Sequence, residues 1–223
     1  MSGVDDAAFH DLVPEATKCY LGAIHVHLAH ENRSLAGALY AEVADFLWAL
    51  DRPREAGAYY DKAATLADSE WAFSVAETLW IKALRCHVEA RDYGLALESS
   101  TSTLVLLQRR LSKESALGLQ GLQGPLLDAL YSRIAEVLMG KVLLLGLVSE
   151  FAQAFSQLQA LQALTAAKLG SSEVHTVLCP ILSAFLSACQ TQNLEEAQAV
   201  LREAPTLVSP LCAELMARAV SRL

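Results

Sequence analysis

The sequence has few aromatic and charged residues, no common catalytic or nucleotide-binding motif, and no long apolar run. Only 7% of its 223 residues are aromatic and 19% are charged. It has no GxxxxGK[ST], GxGxxG, GxSxG or HExxH signature of nucleotide-binding or hydrolytic sites. Its most apolar stretch, 138–148, contains Lys141 and is much shorter than the roughly 20 residues of a membrane-spanning helix. We therefore expect a buried core helix there, and a protein that is not an enzyme.

Positive charge and paired cysteines are also scarce. The chain has 17 Lys and Arg against 25 Asp and Glu, a net charge of −8. Such a surface repels phosphate, so we expect no nucleic-acid partner. The five cysteines are odd in number, and no two have CxxC spacing. We predict reduced, small core side chains rather than a disulfide or metal framework.

Histidines and acidic residues do not assemble into a recognisable site. His27 and His30 share a helical face, but His25 does not join them. Apart from Glu31, no further ligand stands at a suitable spacing. Cys86 and His87 are adjacent and so point in different directions on a helix, away from the geometry of a Cys–His nucleophile. We therefore predict no catalytic residue, no metal site and no cofactor.

Alanine and leucine are abundant, in segments of roughly fifteen to twenty residues separated by turn signals. Examples are Asp51-Arg52-Pro53 and Gln192-Asn193, where Asp51 and Asn193 are candidate N-caps. No segment alternates with the period of a strand. The predicted helices are near 15–30, 34–50, 53–67, 70–90, 93–111, 126–148, 150–168, 173–190, 194–204 and 206–222.

A glycine-rich segment divides these helices into two sets. Residues 112–124 repeat Leu-Gln-Gly and end before Pro125, which argues against a helix. We predict N-terminal helices over 1–111, a flexible loop over 112–124, and C-terminal helices of the same array over 125–223.

Residues 37–68 match the pattern of a tetratricopeptide repeat, a helix–turn–helix unit of about 34 residues. Ala44, Ala56 and Ala63 are small where two helices would cross closely, and Tyr40 and Tyr60 would fill the space between hairpins. A second unit follows, with Ala96 forty positions after Ala56. We predict an all-α, tetratricopeptide-like superhelix of antiparallel helical hairpins; a generic helical bundle is the alternative.

The repeat pattern also indicates which residues would face the groove of such an array. Ala41 and Asp45 take the positions where other tetratricopeptide grooves clamp a peptide carboxylate, and these two side chains cannot do so. Trp48 lies one turn further along the same face, where it would either anchor a partner or pack on the next hairpin. Trp71 and Trp80 are first interpreted as core residues. The candidate partner-binding anchors are Trp48, Tyr59 and Trp71.

Four stretches, 22–53, 86–97, 126–148 and 181–201, carry a resemblance to a known family. Their order and lengths resemble the forty-kilodalton huntingtin-associated protein family, also known as factor VIII intron-encoded protein. Members of that family carry a long proline-rich insertion where this chain has 112–124. They also begin with further helices and a basic stretch.

The resemblance implies a non-enzymatic subunit that binds and stabilises huntingtin, packed between its HEAT-repeat lobes. It also implies a link to an early-endosomal Rab GTPase, and a cytoplasmic protein with early-endosomal and nuclear association. Independently, 53% hydrophobic residues and a mean hydropathy of +0.30 suit a chain whose apolar surface is covered by a partner. The alternatives are a vesicle-trafficking adaptor resembling the soluble attachment proteins and, third, a helical enzyme.

Overall fold

A computed structural model describes residues 6–116, 124–169, 177–204 and 208–223. All regular secondary structure in this part of the chain is helical, which confirms the predicted all-α class. A π-helical segment, Thr165–Leu169, continues α7. The α-helices are α1 (Asp6–Ala29), α2 (Arg33–Ala49), α3 (Pro53–Ser69), α4 (Phe73–Glu89), α5 (Tyr93–Ala116), α6 (Gly124–Leu147), α7 (Phe151–Leu164), α8 (Cys179–Gln190), α9 (Leu194–Glu203) and α10 (Pro210–Val220).

These helices belong to two compact units, Met1–Asp92 and Tyr93–Leu223. In the first unit, each helix packs against the next one in sequence; in the second, α6 contacts α5, α7, α8 and α10. The division does not fall in the predicted loop, 112–124. Helix α5 continues to Ala116, and residues 117–123 of that predicted loop lie outside the described residues.

The turns of the first unit recur at intervals of twenty residues. Glu31, Asp51, Trp71 and Arg91 all have a left-handed backbone, with φ between 55° and 60°. Each lies between two helices, so a hairpin of two helices repeats every forty residues. This is the spacing between Ala56 and Ala96 that the sequence indicates.

Each of these turns closes its helix in the same way. The left-handed residue donates its N–H to the carbonyl three positions back, as Asp51 does to Trp48 at 3.1 Å. The next residue donates to the carbonyl five positions back, as Arg52 does to Leu47 at 3.0 Å. This pair of bonds is the Schellman motif. Asp51 therefore ends α2, and its predicted role as an N-cap is wrong, because the helix that follows begins at Pro53 with Arg52 as its cap residue.

Replacing Glu31 with glycine is expected to stabilise the protein. A left-handed backbone costs a residue with a Cβ about 1–2 kcal/mol, and glycine avoids this cost. About half of the resulting stabilisation is lost again, because glycine has more freedom in the unfolded chain. Because Glu31 is exposed, Glu31→Gly should raise the free energy of unfolding by about 0.5–1 kcal/mol. Urea unfolding followed by circular dichroism measures this, and an unchanged or lower midpoint would contradict the turn geometry.

Small residues let α2, α3 and α4 approach closely. Ala44, Ala56 and Ala63 have no exposed surface, and Tyr60 is only 2% exposed. Tyr40, by contrast, packs against this core while partly exposed. The two helices of the α2–α3 hairpin run antiparallel, since residues near the turn, Asp45 and Tyr60, contact each other, and Gly37 near the start of α2 approaches Leu66 near the end of α3. The predicted small-residue crossing is confirmed.

The leucine-rich segment of the second unit is a core helix, as predicted. In α6, the residues from 142 to 145 are almost wholly buried. Burial lowers the pKa of the Lys141 ammonium on the same helix. The last described residues also contact the end of α6, since Arg222 Nη1 donates to the Leu147 carbonyl at 2.7 Å and its guanidinium lies 4.7 Å from the centre of the Tyr93 ring.

Helices α8 and α9 form a further hairpin with the same type of turn. Gln192 has a left-handed backbone, and Asn193 caps α9 by accepting a hydrogen bond from the Glu196 N–H at 3.2 Å. The predicted N-cap at Asn193 is therefore confirmed. The predicted helix 173–190 is seen from Cys179 as α8, and residues 173–176 lie outside the described part.

Candidate functional site

The three predicted anchors all lie in the first unit but have different surroundings. Trp48 on α2 is 41% exposed and lines a cavity. Tyr59 on α3 is half-buried. Trp71, between α3 and α4, is 61% exposed. The first interpretation of Trp71 as a core residue is therefore wrong, whereas Trp80 does pack against the core.

Tyr59 is engaged within the fold. Its ring stacks on Tyr40 with centroids 6.1 Å apart. The Lys62 ammonium lies 5.0 Å from the centre of the Tyr59 ring and 5.7 Å from that of Tyr40. Burial, with the nearby Glu55 charge, raises the pKa of the Tyr59 hydroxyl. Tyr59 thus has the surroundings of a packing residue more than those of an anchor.

Trp71 is displayed at the tip of the α3–α4 hairpin. Its backbone φ is 60°, a conformation in which a bulky side chain is a rare outlier. The indole contacts Phe73 edge to face, with ring centroids 5.7 Å apart, yet most of its surface remains accessible. Trp71 is therefore both exposed and placed on a backbone that disfavours bulky side chains.

A pocket of about 320 Å³ opens between α2, α3 and α4. Its floor consists of buried side chains, Tyr60 and Cys86, each 2% exposed. Its walls are more exposed and combine an indole with charged groups. The lining residues are Asp45, Trp48, Tyr60, Lys82, Arg85 and Cys86.

Asp45 links the three helices around this pocket. It accepts a hydrogen bond from the Tyr60 hydroxyl and an ion-paired one from Lys82 Nζ at 2.8 Å. Burial raises the pKa of the Asp45 carboxyl, but the hydrogen bonds from Lys82 and Tyr60 and the Lys82 charge outweigh it, so this pKa lies below its usual value. Burial, together with the hydrogen bond to Asp45, raises the pKa of the Tyr60 hydroxyl well above its usual range. The carboxylate is thus ionised and already occupied.

The cationic side of the pocket comes from the next hairpin. Lys82 and Arg85 stand one turn apart on α4, and the Lys82 ammonium lies 5.1 Å from the centre of the Tyr60 ring. Of the predicted groove positions, Asp45 and Trp48 line this pocket, whereas Ala41 lines a different one. The sequence prediction did not include the two cations. The repeat spacing could have indicated Arg85, because it follows the groove residue Asp45 by the same forty positions that separate Ala56 from Ala96.

The adjacent Cys86 and His87 are arranged for packing rather than for nucleophilic chemistry. His87 is fully buried, and its Nε2 lies 2.8 Å from Asp61 Oδ2. Burial, reinforced by the Asp61 charge, raises the pKa of the Cys86 thiol to about 12. A nucleophilic cysteine needs the opposite shift, so Cys86 is an inert thiol.

Two further features concern metals and membranes. Within the described ranges, no three His, Cys, Asp or Glu side chains lie close enough together to hold a metal ion. Among the helices that the structure describes, none combines the length and the apolar character that a membrane crossing requires.

No protein-family model matches the chain, and no curated protein matches it either.

Proposed function

We propose that this chain is a non-enzymatic interaction subunit that binds and stabilises huntingtin, packed between its HEAT-repeat lobes. Identification of the partner rests on the resemblance of four ordered stretches, 22–53, 86–97, 126–148 and 181–201. The inert surroundings of Cys86 support a role without catalysis. The proposal includes an association with early endosomes through a Rab GTPase, and a cytoplasmic and nuclear location.

The observation that carries the interaction role is the display of Trp71. It is 61% exposed and is held in a left-handed turn that disfavours bulky residues. Trp48 provides a second exposed indole on the same compact unit. Tryptophan is among the residues that contribute most to protein interfaces, and two of them on one packed unit suit a docking surface better than a catalytic cleft.

Size-exclusion chromatography with huntingtin tests the proposal directly. The chain is expressed alone and then together with huntingtin. We expect a co-eluting complex with huntingtin and a higher recovery of soluble chain than in its absence. A stable monomer that elutes separately from huntingtin would contradict the proposal and favour an adaptor for another partner in vesicle trafficking.

Replacing Trp71 with glycine is expected to separate binding from stability. The glycine relieves the backbone at φ 60°, so the thermal midpoint should stay level or rise, while loss of the indole should weaken huntingtin binding about tenfold. The matched control is Glu31→Gly, at the equivalent position of the turn forty residues earlier. Calorimetric titration and thermal unfolding of both variants provide the comparison.

The control defines the contradicting outcome. Glu31→Gly relaxes the same kind of turn without removing an aromatic side chain, and its affinity should equal that of the unmodified chain. Equal affinity of the Trp71→Gly and Glu31→Gly variants would exclude Trp71 as an anchor.

A further inference from the structure

We propose that the pocket between α2, α3 and α4 receives an acidic side chain from within a partner protein, a Glu or Asp that is flanked by an apolar residue. Arg85 binds the carboxylate, and Trp48 packs against the flanking residue. The inference rests on the proposed function, because it specifies what this interaction subunit recognises in its partner.

Arg85 is the group left to bind the carboxylate. Lys82 is already paired with Asp45 at 2.8 Å. Arg85, one turn further along α4, is exposed and takes part in none of the ion pairs of the described residues. Its planar guanidinium can hold a carboxylate through two parallel hydrogen bonds. With one acidic and two basic side chains, the pocket carries a local positive charge on a chain whose net charge is −8.

The acid in the pocket does not prevent the binding of another acid. Asp45 accepts hydrogen bonds from both Tyr60 and Lys82, so its charge is neutralised by a neighbour before any partner arrives. The same contacts hold Lys82 in place between two helices. The Asp45–Lys82 side of the pocket is therefore in place before binding, and the side-chain freedom lost on binding is that of Arg85 and Trp48.

The shape of the pocket favours a side chain of a protein over a small free ligand. Its floor is buried, but Trp48 is 41% exposed, and Arg85 on the opposite helix is exposed as well. Small-molecule sites usually cover 70–90% of their ligand, which these open walls would not do. A side chain at the centre of a protein interface receives the remaining cover from the surrounding contacts.

Trp48 selects the residue of the partner that is adjacent to the bound Glu or Asp. It lies one turn from Asp45 on α2 and lines the same pocket as Arg85. An indole presents an apolar face that suits an aromatic or aliphatic neighbour of the bound carboxylate. The recognised segment thus combines one apolar and one acidic residue in adjacent positions.

Fluorescence polarisation with labelled peptides tests this inference without huntingtin. The probes are short peptides with an amidated C-terminus and a central Phe-Glu pair, the same peptide with Phe-Gln, and the Phe-Gln peptide with a free terminal carboxylate. We expect the Phe-Glu peptide to bind about tenfold more tightly than its Phe-Gln counterpart. This preference should decrease as salt is added.

Variants of the chain locate the effect. Arg85→Gln should abolish the preference for Phe-Glu, and Trp48→Ala should weaken the Phe-Glu and Phe-Gln peptides alike. Arg91→Gln is the matched control, because it removes an exposed arginine of the same unit that does not line the pocket. Circular dichroism confirms that each variant is folded.

Several outcomes would overturn the inference. They are no binding at millimolar peptide, equal affinity for the Glu and Gln peptides, tighter binding of the peptide with a free terminus, or equal behaviour of the Arg85→Gln and Arg91→Gln variants. Co-elution with huntingtin separates this inference from the proposed function. If Arg85→Gln binds huntingtin normally, the pocket inference fails alone; if the peptides bind but huntingtin does not, the choice of partner fails alone.

Discussion

A thiol reagent at pH 8 is expected to modify one cysteine of the native chain quickly and to leave four almost untouched. Cys19 on α1 is exposed, whereas the others are buried. Burial raises the pKa of Cys86 to about 12 and those of Cys189 and Cys212 to about 11. At pH 8, a thiol of pKa 12 is ionised in about one molecule in ten thousand, and the thiolate is the reactive form.

Access limits the buried thiols further, since each is at most 6% exposed and a reagent reaches the sulfur freely only when the structure opens. A domain stable by 5 kcal/mol or more is unfolded in fewer than about one molecule in a thousand. We therefore expect the buried sites to react at least about a thousandfold more slowly than Cys19. Mass spectrometry of the labelled chain counts the modified sites.

Cys19→Ser and full denaturation are the controls for this experiment. The Cys19→Ser variant should lose the fast phase, and in guanidinium chloride all five thiols of the unmodified chain should react. Rapid labelling of a second site in the native chain would mean that its cysteine is not buried as described.

The sequence prediction of five core cysteines is correct for four and wrong for Cys19, because residue type alone does not determine which face of α1 is buried.

Gly57→Ala is expected to destabilise the first unit by about 1–3 kcal/mol, the usual cost of overpacking a core. A Cβ at position 57 would lie 2.6 Å from His87 Cε1 and 2.9 Å from His87 Nδ1. The ring cannot easily move away, since it is fully buried and paired with Asp61 at 2.8 Å. This clash should outweigh the roughly 1 kcal/mol that alanine gains over glycine inside a helix.

A double-mutant cycle isolates the contact between Gly57 and His87. His87→Ala alone should be destabilising, because it leaves a cavity and removes a partner of Asp61. In that background, adding Gly57→Ala should cost nothing or stabilise, which gives a coupling energy of about 1–3 kcal/mol. Urea unfolding of the four proteins provides the numbers.

Gly22→Ala on α1 is the matched control, since nothing lies within 4 Å of a Cβ built there. That variant should be more stable by about 0.5–1 kcal/mol, the normal preference for alanine in a helix. If Gly57→Ala is stabilised by a similar amount, α3 and α4 do not approach each other at this position as described.

The α2–α3 hairpin could be predicted closely from sequence because its signals are local. Helices were predicted over 34–50 and 53–67, and the structure has them at Arg33–Ala49 and Pro53–Ser69, within two residues at each end. Pro53 fixes the start of α3, and small alanines at the helix crossing leave few alternatives. Residue type, period and turn chemistry all indicate the same structure there.

The turns themselves were harder to interpret. The left-handed position at a helix end usually holds glycine, and here it holds Glu31, Asp51, Trp71 or Arg91. Of these residues only aspartate is enriched at positive φ, so residue type does not mark the other three turns. The fixed spacing along the chain is the signal, and it becomes visible only when several turns are compared.

The pocket could be predicted only in part, because its members come from neighbouring hairpins. Asp45 and Trp48 follow from the repeat pattern of one unit, but Lys82, which is hydrogen-bonded to Asp45, stands thirty-seven positions later in the chain. Such a contact depends on how two hairpins stack. The sequence also left the exposure of Trp71 undecided between a core residue and an anchor, because tryptophan is on average highly buried but is enriched at interfaces as well.

The packing of each helix of the first unit against the next one along the chain has a consequence for how the protein is made. The main contacts of α1 to α4 join sequence neighbours, whereas α6 of the second unit also contacts α10. Chains with mostly local contacts fold fastest, since little loop entropy is lost before a contact forms. The first unit can therefore assemble in the order in which the ribosome delivers it, helix by helix. Helix α6 has to wait for α10, the last helix described, before its surface is covered.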